Sequence, residues 1–140
     1  MTDFHRRSHI AVALFLAGVL PGCTPPVGAS GHVELVTSFR VDPVVNTFAR
    51  PVNIRYLLRQ PAFVTLRVVA QDEADDTRYL VYPIQEAQKE TSGTHHAAWL
   101  GTALDGFFVP KGLYLVELYA QATPNAKAQA YAVQVYIYRS

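Results

Sequence analysis

Alternation of apolar and polar residues is the feature that most limits how this chain folds. Between Val52 and Leu58 every second residue is apolar, and polar residues such as Asn53 and Arg55 stand between them. Residues 63–71 repeat the pattern with valine, leucine and alanine at every second position. A period of two residues is typical of strands with one buried face, and no segment beyond residue 31 sustains the helical period of 3.6. The sequence therefore predicts an all-β fold.

Seven strands are predicted, each bounded by turn residues. They cover Val33–Val41, Val52–Leu58, Phe63–Gln71, Tyr79–Gln85, Thr94–Leu100, Leu113–Ala122 and Ala128–Arg139. The fourth contains Pro83, which has no backbone N–H for a ladder hydrogen bond, so we expect it at a sheet edge. Seven short strands in a domain of this size favour an Ig-like antiparallel β-sandwich, with Trp99, the only tryptophan, packed between the sheets.

Composition and charge limit the function classes. Half of the residues are hydrophobic and 16% are charged, which is typical of a single globular domain. The whole chain has twelve basic and eleven acidic side chains, and these become equal in number once Arg6, Arg7 and Asp3 of residues 1–22 are left out. Binding a polyanion requires a surplus of Lys and Arg, so we expect no nucleic acid as a partner.

The first 22 residues have the three parts of an export signal. A basic start with Arg6 and Arg7 is followed by an apolar stretch, Ile10–Leu20, and by a small residue, Gly22. The apolar stretch is too short to remain as a membrane-spanning helix. Twin-arginine export is an alternative route, although His9-Ile10 stands where that signal has Phe-Leu.

The end of this signal, Leu20-Pro21-Gly22-Cys23, resembles the bacterial lipobox. The resemblance implies cleavage before Cys23 and acylation of its thiol, so that Cys23 becomes the lipid-bearing first mature residue. Cys23 is the only cysteine of the chain and has no disulfide partner within it. The alternative is an ordinary secretory signal with an accidental cysteine nearby.

Lipidation at Cys23 would anchor the protein without a membrane-spanning helix, because several acyl chains together hold a protein at a bilayer. Thr24 differs from the Asp that retains enteric lipoproteins at the inner membrane, and by resemblance this favours the outer membrane. Residues 23–31 are rich in Pro and Gly and read as a short lipidated tether. The folded domain is expected over residues 32–140.

A second resemblance rests on a motif in the later half of the chain. It consists of Gly93-Thr94, Trp99-Leu100-Gly101, Asp105-Gly106, Val109-Pro110 and Gly112-Leu113-Tyr114. This motif resembles the Ig-like domain of the flagellar hook-capping protein, a module found in many exported bacterial proteins. Pro51–Tyr56 and Gln60–Leu66 are similar to its early strands, so the resemblance covers about residues 38–139.

The resemblance implies an Ig-like fold but no flagellar function, since one fold supports many functions. The chain departs from the family pattern in one loop. Leu100 stands where the family usually has Asp, and Thr102-Ala103-Leu104 replaces an acidic stretch. This loop is therefore more apolar than its counterparts.

No motif of the chain indicates catalysis. No serine lies in a Gly-x-Ser-x-Gly sequence, and lipidation would consume Cys23. His95 and His96 are adjacent on a strand and point to opposite faces, so they are badly placed to share a metal. The acidic run 72–76 lacks the ligand spacing of an EF-hand calcium loop and reads as a solvated turn. We expect no enzyme activity, no metal and no cofactor.

A contact surface is predicted where apolar residues lie on a sheet face that is expected to be exposed to solvent. If Tyr114 and Val135 point into the core, alternation turns a set of large residues outward on one sheet. The set is Phe63, Leu113, Leu115, Tyr119, Tyr136 and Tyr138, with Val69 beside them. An exposed apolar, tyrosine-rich face usually marks a contact site. The alternatives are that the N-terminal segment or the membrane covers this face, or that the alternation is shifted by one residue.

The leading hypothesis is a membrane-anchored, non-catalytic binding or assembly module of the bacterial cell envelope. Its expected partners are the membrane, through the lipid anchor, and an envelope protein that the sequence does not identify. The alternative is an envelope enzyme or a metal-binding protein of unrecognised type.

Overall fold

The computed structural model describes residues 33–139, and the predicted signal, Cys23 and the tether to residue 31 lie outside this range. Over the described residues the chain is all-β. Its strands are β1 Val36–Val41, β2 Val44–Asn46, β3 Val52–Leu58, β4 Ala62–Gln71, β5 Arg78–Glu90, β6 Gly93–Trp99, β7 Gly112–Gln121 and β8 Gln129–Tyr138. Within this part of the chain no helix is long and apolar enough to cross a bilayer.

The strands form two sheets. One has three strands in the order β1-β3-β6, and the other has five in the order β2-β8-β7-β4-β5. Every neighbouring pair is antiparallel except β2 and β8, which run parallel. Both sheets contribute residues to one hydrophobic core. The prediction of an all-β fold is confirmed, and two sheets around one core are consistent with a β-sandwich.

The alternating sequence pattern gives each sheet its buried face. In β3 the residues Val52, Ile54, Tyr56 and Leu58 are buried and those between them are exposed, as predicted. The even-numbered residues of β4 and β7 are buried in the same way, from Val64 to Val68 and from Tyr114 to Ala120. The alternation is therefore not shifted by one residue in these strands.

Trp99 lies in the core, as predicted, with 1% of its surface exposed. Its ring packs edge-to-face against Tyr114 of the opposite sheet, with the ring centroids 5.8 Å apart. The indole Nε1 donates a hydrogen bond of 2.8 Å to the Thr102 carbonyl oxygen. Trp99 therefore joins the two sheets and also fixes the start of the loop that follows β6.

Two strands differ from the predicted pattern. The first predicted strand is followed, after Asp42-Pro43, by the short strand β2, which pairs with β8 of the other sheet and raises the number of strands to eight. The Pro43 carbonyl accepts a hydrogen bond of 2.8 Å from the Tyr136 backbone N–H at this crossing. The fourth predicted strand lies at a sheet edge, as expected, but β5 extends to Glu90.

The turn at residues 72–77 is closed by its own hydrogen bonds. The Asp72 backbone N–H donates to the Thr77 carbonyl, and the Asp76 N–H donates to the Asp72 carbonyl, both over 2.8 Å. The Asp72 and Asp75 carboxylates accept hydrogen bonds from the backbone N–H groups of Ala74 and Thr77. These acidic side chains therefore serve the turn itself.

Candidate functional site

The predicted contact residues lie on the outer face of the five-stranded sheet, which is the face turned away from the core. Alternation places Phe63 on β4, Leu113, Leu115 and Tyr119 on β7, and Tyr136 and Tyr138 on β8. The structure does not make them one continuous apolar surface. Leu113, Tyr136 and Tyr138 are exposed, whereas Phe63, Leu115 and Tyr119 are only partly accessible.

A buried carboxylate, Glu117, divides this outer face. Arg67 Nε and Arg78 Nη1 donate to its two oxygens over 3.2 and 3.0 Å, and the Tyr119 hydroxyl donates over 2.9 Å. Arg78 belongs to β5 and reaches across β4 to do so. Only 6% of the Glu117 side chain is accessible, because the residues that bind it also cover it. The middle of the face is thus a closed polar cluster.

Tyr119 and Phe63 belong to the far side of that cluster. The Arg67 guanidinium lies 4.7 Å from the centroid of the Tyr119 ring, which is a cation–π distance. The Lys89 ammonium stands 6.0 Å from the Phe63 ring. Burial raises the pKa of Tyr119 above that of a free tyrosine, and the hydrogen bond to Glu117 adds to this effect. These two aromatic residues are thus occupied by contacts within the domain.

The other side of the face keeps an exposed apolar group, which we name the sheet patch and define as Val44, Leu113, Tyr136 and Tyr138. The register places Val44 beside Tyr136, and Tyr136 beside Leu113. Leu113 has 58% of its surface exposed. The sheet patch lies where β2 and β8 end and β7 begins.

A second apolar group, which sequence reasoning did not assign, lies in the loops at this same end of the domain. We name it the loop patch. It consists of Phe48 from the β2–β3 loop and Leu100, Leu104, Phe107 and Phe108 from the β6–β7 loop. Phe107 is 74% exposed and Leu104 is 65% exposed. Phe48 and Phe108 meet edge-to-face, with their ring centroids 5.0 Å apart, so the two loops form one surface.

The loop patch is held by backbone hydrogen bonds within the β6–β7 loop. Ala103 N–H donates to the Phe107 carbonyl and Gly106 N–H to the Ala103 carbonyl, both over 2.9 Å. Val109 N–H donates to the Gly101 carbonyl over 2.8 Å, and Val109 is buried beneath the loop. The loop is therefore a small closed hairpin that presents its large apolar side chains outward. A preorganised loop loses less conformational entropy when a partner binds.

Gly101 allows the two loops to approach each other. Its φ is +83°, and a Cβ at this position would lie 2.4 Å from Thr47 Cγ2. No side chain fits at such a distance, so glycine permits the contact between the β2–β3 turn and the start of the β6–β7 loop. Arg139 adds a cation 5.6 Å from the Phe48 ring at the edge of the patch.

A polar cluster joins the two sheets at the opposite end of the domain. The Tyr56 hydroxyl donates to Glu90 Oε1 over 2.5 Å, and Gln85 Nε2 donates to Glu90 Oε2 over 3.3 Å. His95 stacks on the Tyr56 ring at 5.6 Å and donates from Nε2 to the Thr91 carbonyl over 2.7 Å. Burial raises the pKa of Tyr56 well above its usual range, and Glu90 raises it further. Tyr56 is fully buried, so these groups support the fold.

His95 and His96 point to opposite faces of β6, as predicted. His95 packs on Tyr56, and His96 is exposed on the outer face of the three-stranded sheet. Among the described residues there is no group of three or more His, Cys, Asp or Glu side chains placed to hold a metal ion.

The loop patch had a signal in the sequence that the strand analysis did not use. Leu100, Leu104 and Phe107-Phe108 are large apolar residues inside a segment that has no alternating pattern and contains Asp105-Gly106. Apolar residues in a loop have no sheet face to occupy, so exposure is the expected outcome.

The sequence matches no protein-family model, and no curated protein is significantly similar to it.

Proposed function

We propose that this protein is a membrane-anchored lipoprotein of the bacterial cell envelope, whose Ig-like domain is a non-catalytic binding or assembly module. Its partner in this proposal is an envelope protein with an apolar contact surface. Lipidation of Cys23, with the outer membrane favoured by Thr24, rests on the lipobox resemblance. The docking surface rests on the apolar groups at one end of the domain.

The strand order supports the Ig-like assignment. In Ig-like domains strands A, B and E belong to one sheet, and strands G, F and C belong to the other, where C′ can follow C. In this chain β1, β3 and β6 take the positions of A, B and E. β8, β7, β4 and β5 take the positions of G, F, C and C′. Between β1 and β2 the chain crosses from the edge of the three-stranded sheet to the edge of the five-stranded sheet. The resemblance to the hook-capping module favours the same fold.

The observation that carries the docking proposal is the loop patch. Five large apolar side chains face solvent from two loops in mutual contact, and one of the two loops is closed by its own hydrogen bonds. Removing this apolar surface from water favours binding to a partner with an apolar surface. Large exposed apolar side chains grouped on one surface are typical of the central part of a protein interface.

The loop patch and the first residue of the core, Leu35, lie at opposite ends of the sandwich. The chain enters the sandwich at Leu35, whose N–H donates to Gln129 Oε1 over 2.9 Å at the start of β8. The loop patch lies beyond the other end of β8, next to Tyr138 and Arg139. Ten residues of strand span roughly 30 Å. The loop patch therefore lies at the end of the sandwich opposite to Leu35.

Photo-crosslinking in intact cell envelopes tests this function. A photoreactive amino acid replaces Phe107 in the full chain, and the control carries it at Lys127, an exposed residue of the β7–β8 turn at the other end of the domain. We expect one protein adduct of defined mass from position 107 and none from position 127. The adduct should disappear when Leu104→Ser is added, while the unfolding midpoint stays unchanged.

Other outcomes would contradict the proposal. Adducts with phospholipid from position 107 would mean that the patch lies on the membrane. Equal adducts from both positions, or none, would mean that no docking takes place there. The anchor is tested separately by mass spectrometry of the mature protein, in which Cys23 should carry acyl mass and residues 1–22 should be absent.

A further inference from the structure

The outer face of the three-stranded sheet carries a shallow groove of about 460 Å³ that the proposed docking function does not use. Arg40 of β1, Arg55 of β3 and His96 of β6 line it. In the register of the sheet Arg40 lies directly opposite Arg55, and Arg55 lies directly opposite His96. Three basic side chains therefore form one row across all three strands.

The row lacks internal partners. Arg40, Arg55 and His96 are exposed, and within residues 33–139 their side chains make no hydrogen bond or ion pair. The one carboxylate of the groove, Asp42, is bound to Arg50 over 2.7 Å and accepts from Asn53 N and Nδ2 over 3.0 and 3.1 Å. Asp42 is thus already neutralised by a cation outside the row.

This arrangement is unfavourable for the isolated domain. Like charges directly opposite each other on antiparallel strands destabilise the pair. Three other arginines have a carboxylate partner, since Arg67 and Arg78 share Glu117 and Arg50 binds Asp42. Arg40 and Arg55 instead lie directly opposite each other on β1 and β3, without an ion pair among the described residues. Residues kept in a costly arrangement on a rigid sheet point to a bound group of opposite charge.

We propose that Arg40, Arg55 and His96 form a binding site for a phosphate group. Guanidinium groups offer a planar fork of N–H donors that matches phosphate oxygens. Directly opposed side chains on antiparallel strands have Cβ atoms about 5 Å apart, so both forks reach one anion. His96 adds a third donor along the same row. Donors from three side chains match a tetrahedral anion with several oxygens better than a carboxylate, which a single fork satisfies.

The phosphate group has two possible sources, a soluble phosphate ester and the headgroup of an anionic phospholipid. Both offer the same oxygens to the row. The site lies on a different sheet from the sheet patch and is lined by none of the loop-patch residues. Its test is therefore independent of the docking surface.

The test uses the full chain in nonionic detergent micelles, observed by NMR. Inorganic phosphate is added in one titration, and short-chain phosphatidylglycerol is added to the same micelles in another, at constant ionic strength. We expect saturable shifts of the amide signals of Arg40, Arg55 and His96. Arg40→Gln and Arg55→Gln should each weaken the binding at least tenfold. Arg59→Gln removes an exposed charge just after β3 and should leave the binding unchanged.

The two titrations identify the source. Saturation by inorganic phosphate alone supports a soluble ester as ligand, and saturation at lower concentration by phosphatidylglycerol supports a lipid headgroup. Shifts that do not saturate with either probe overturn the proposal. Saturable shifts that persist in the folded Arg40→Gln/Arg55→Gln double variant also overturn it.

Discussion

Arg67 of β4 lies directly opposite Glu117 of β7, and its Nε donates a hydrogen bond of 3.2 Å to the carboxylate. This pair lies in the centre of the outer face of the five-stranded sheet. Alternation alone predicts only that the residues of this face point away from the core. The carboxylate is buried by its own partners and not by a second layer of structure. The pair therefore decides which outward residues remain available for contact with another molecule.

Glu117→Gln should destabilise the domain by about 1 to 2 kcal/mol, because the amide leaves two arginines without their carboxylate. Both arginines are partly hydrated, which limits the loss. Urea unfolding of the variant and its parent measures the difference. Glu86→Gln, the same change at an exposed position of β5, is the control and should have little effect. Equal stabilities of the two variants would show that the buried cluster contributes nothing.

The two predicted contact tyrosines should respond differently to substitution. Tyr119→Ser removes a ring that packs under Arg67 and a hydroxyl that binds Glu117, so we expect a loss of about 2 kcal/mol. Tyr136→Ser changes an exposed residue of the sheet patch and should cost under about 1 kcal/mol. Thermal unfolding of both variants checks this order, and the reverse order would exclude Tyr136 from the available surface.

Much of the fold could be predicted from residue alternation. Strands β3, β4 and β7 bury one side against the core, so their sequences show the period of two directly. Two features could not be predicted in this way. β2 has three residues, too few for a period, and residues 86–89 of β5 are exposed and mostly polar, so they show no buried face. Both β2 and the last part of β5 are formed by backbone hydrogen bonds, which leave little trace in the amino-acid composition.

The contact surface could be predicted only in part, and the reason is again physical. Alternation assigns Tyr119 and Tyr136 to the same face, but it does not show that Arg78 crosses a neighbouring strand to cover Glu117. The loop patch depends on which two loops meet, and this follows from the sheet order. Phe48 and Phe108 are far apart in the chain and come together because β2 joins the five-stranded sheet.

Trp99→Ala should cost about 3 to 5 kcal/mol, the usual range for truncation of a large aromatic residue in a core. The change removes the contact with Tyr114 and the hydrogen bond to the Thr102 carbonyl. Trp99→Phe keeps an aromatic ring in the core and should cost clearly less. Chemical denaturation measures both values. A loss under about 1 kcal/mol for alanine would be incompatible with the buried position of the indole.

Gly101→Ala should destabilise the domain more than Gly106→Ala. Both glycines have similar positive φ values, +83° and +88°, so alanine meets the same backbone strain at each, about 1 kcal/mol. At Gly101 the new Cβ would also lie 2.4 Å from Thr47 Cγ2, whereas nothing lies within 4 Å at Gly106. The difference between the two unfolding free energies isolates the contact between the loops. Equal losses would mean that Thr47 moves aside without cost.

Alkaline pH should destabilise the domain through Tyr131. Burial raises the pKa of Tyr131 to about 12, and the nearby Glu34 carboxylate adds to the rise. In the unfolded chain tyrosine loses its proton near pH 10. Above that pH the unfolded state binds fewer protons than the folded state, so this contribution to stability is complete below pH 10 and is lost towards pH 12. Urea unfolding from pH 7 to pH 12 should show a flat curve and then a fall, and Tyr131→Phe should make the fall shallower. The same alkaline fall in Tyr131→Phe as in the parent would assign the effect to other groups.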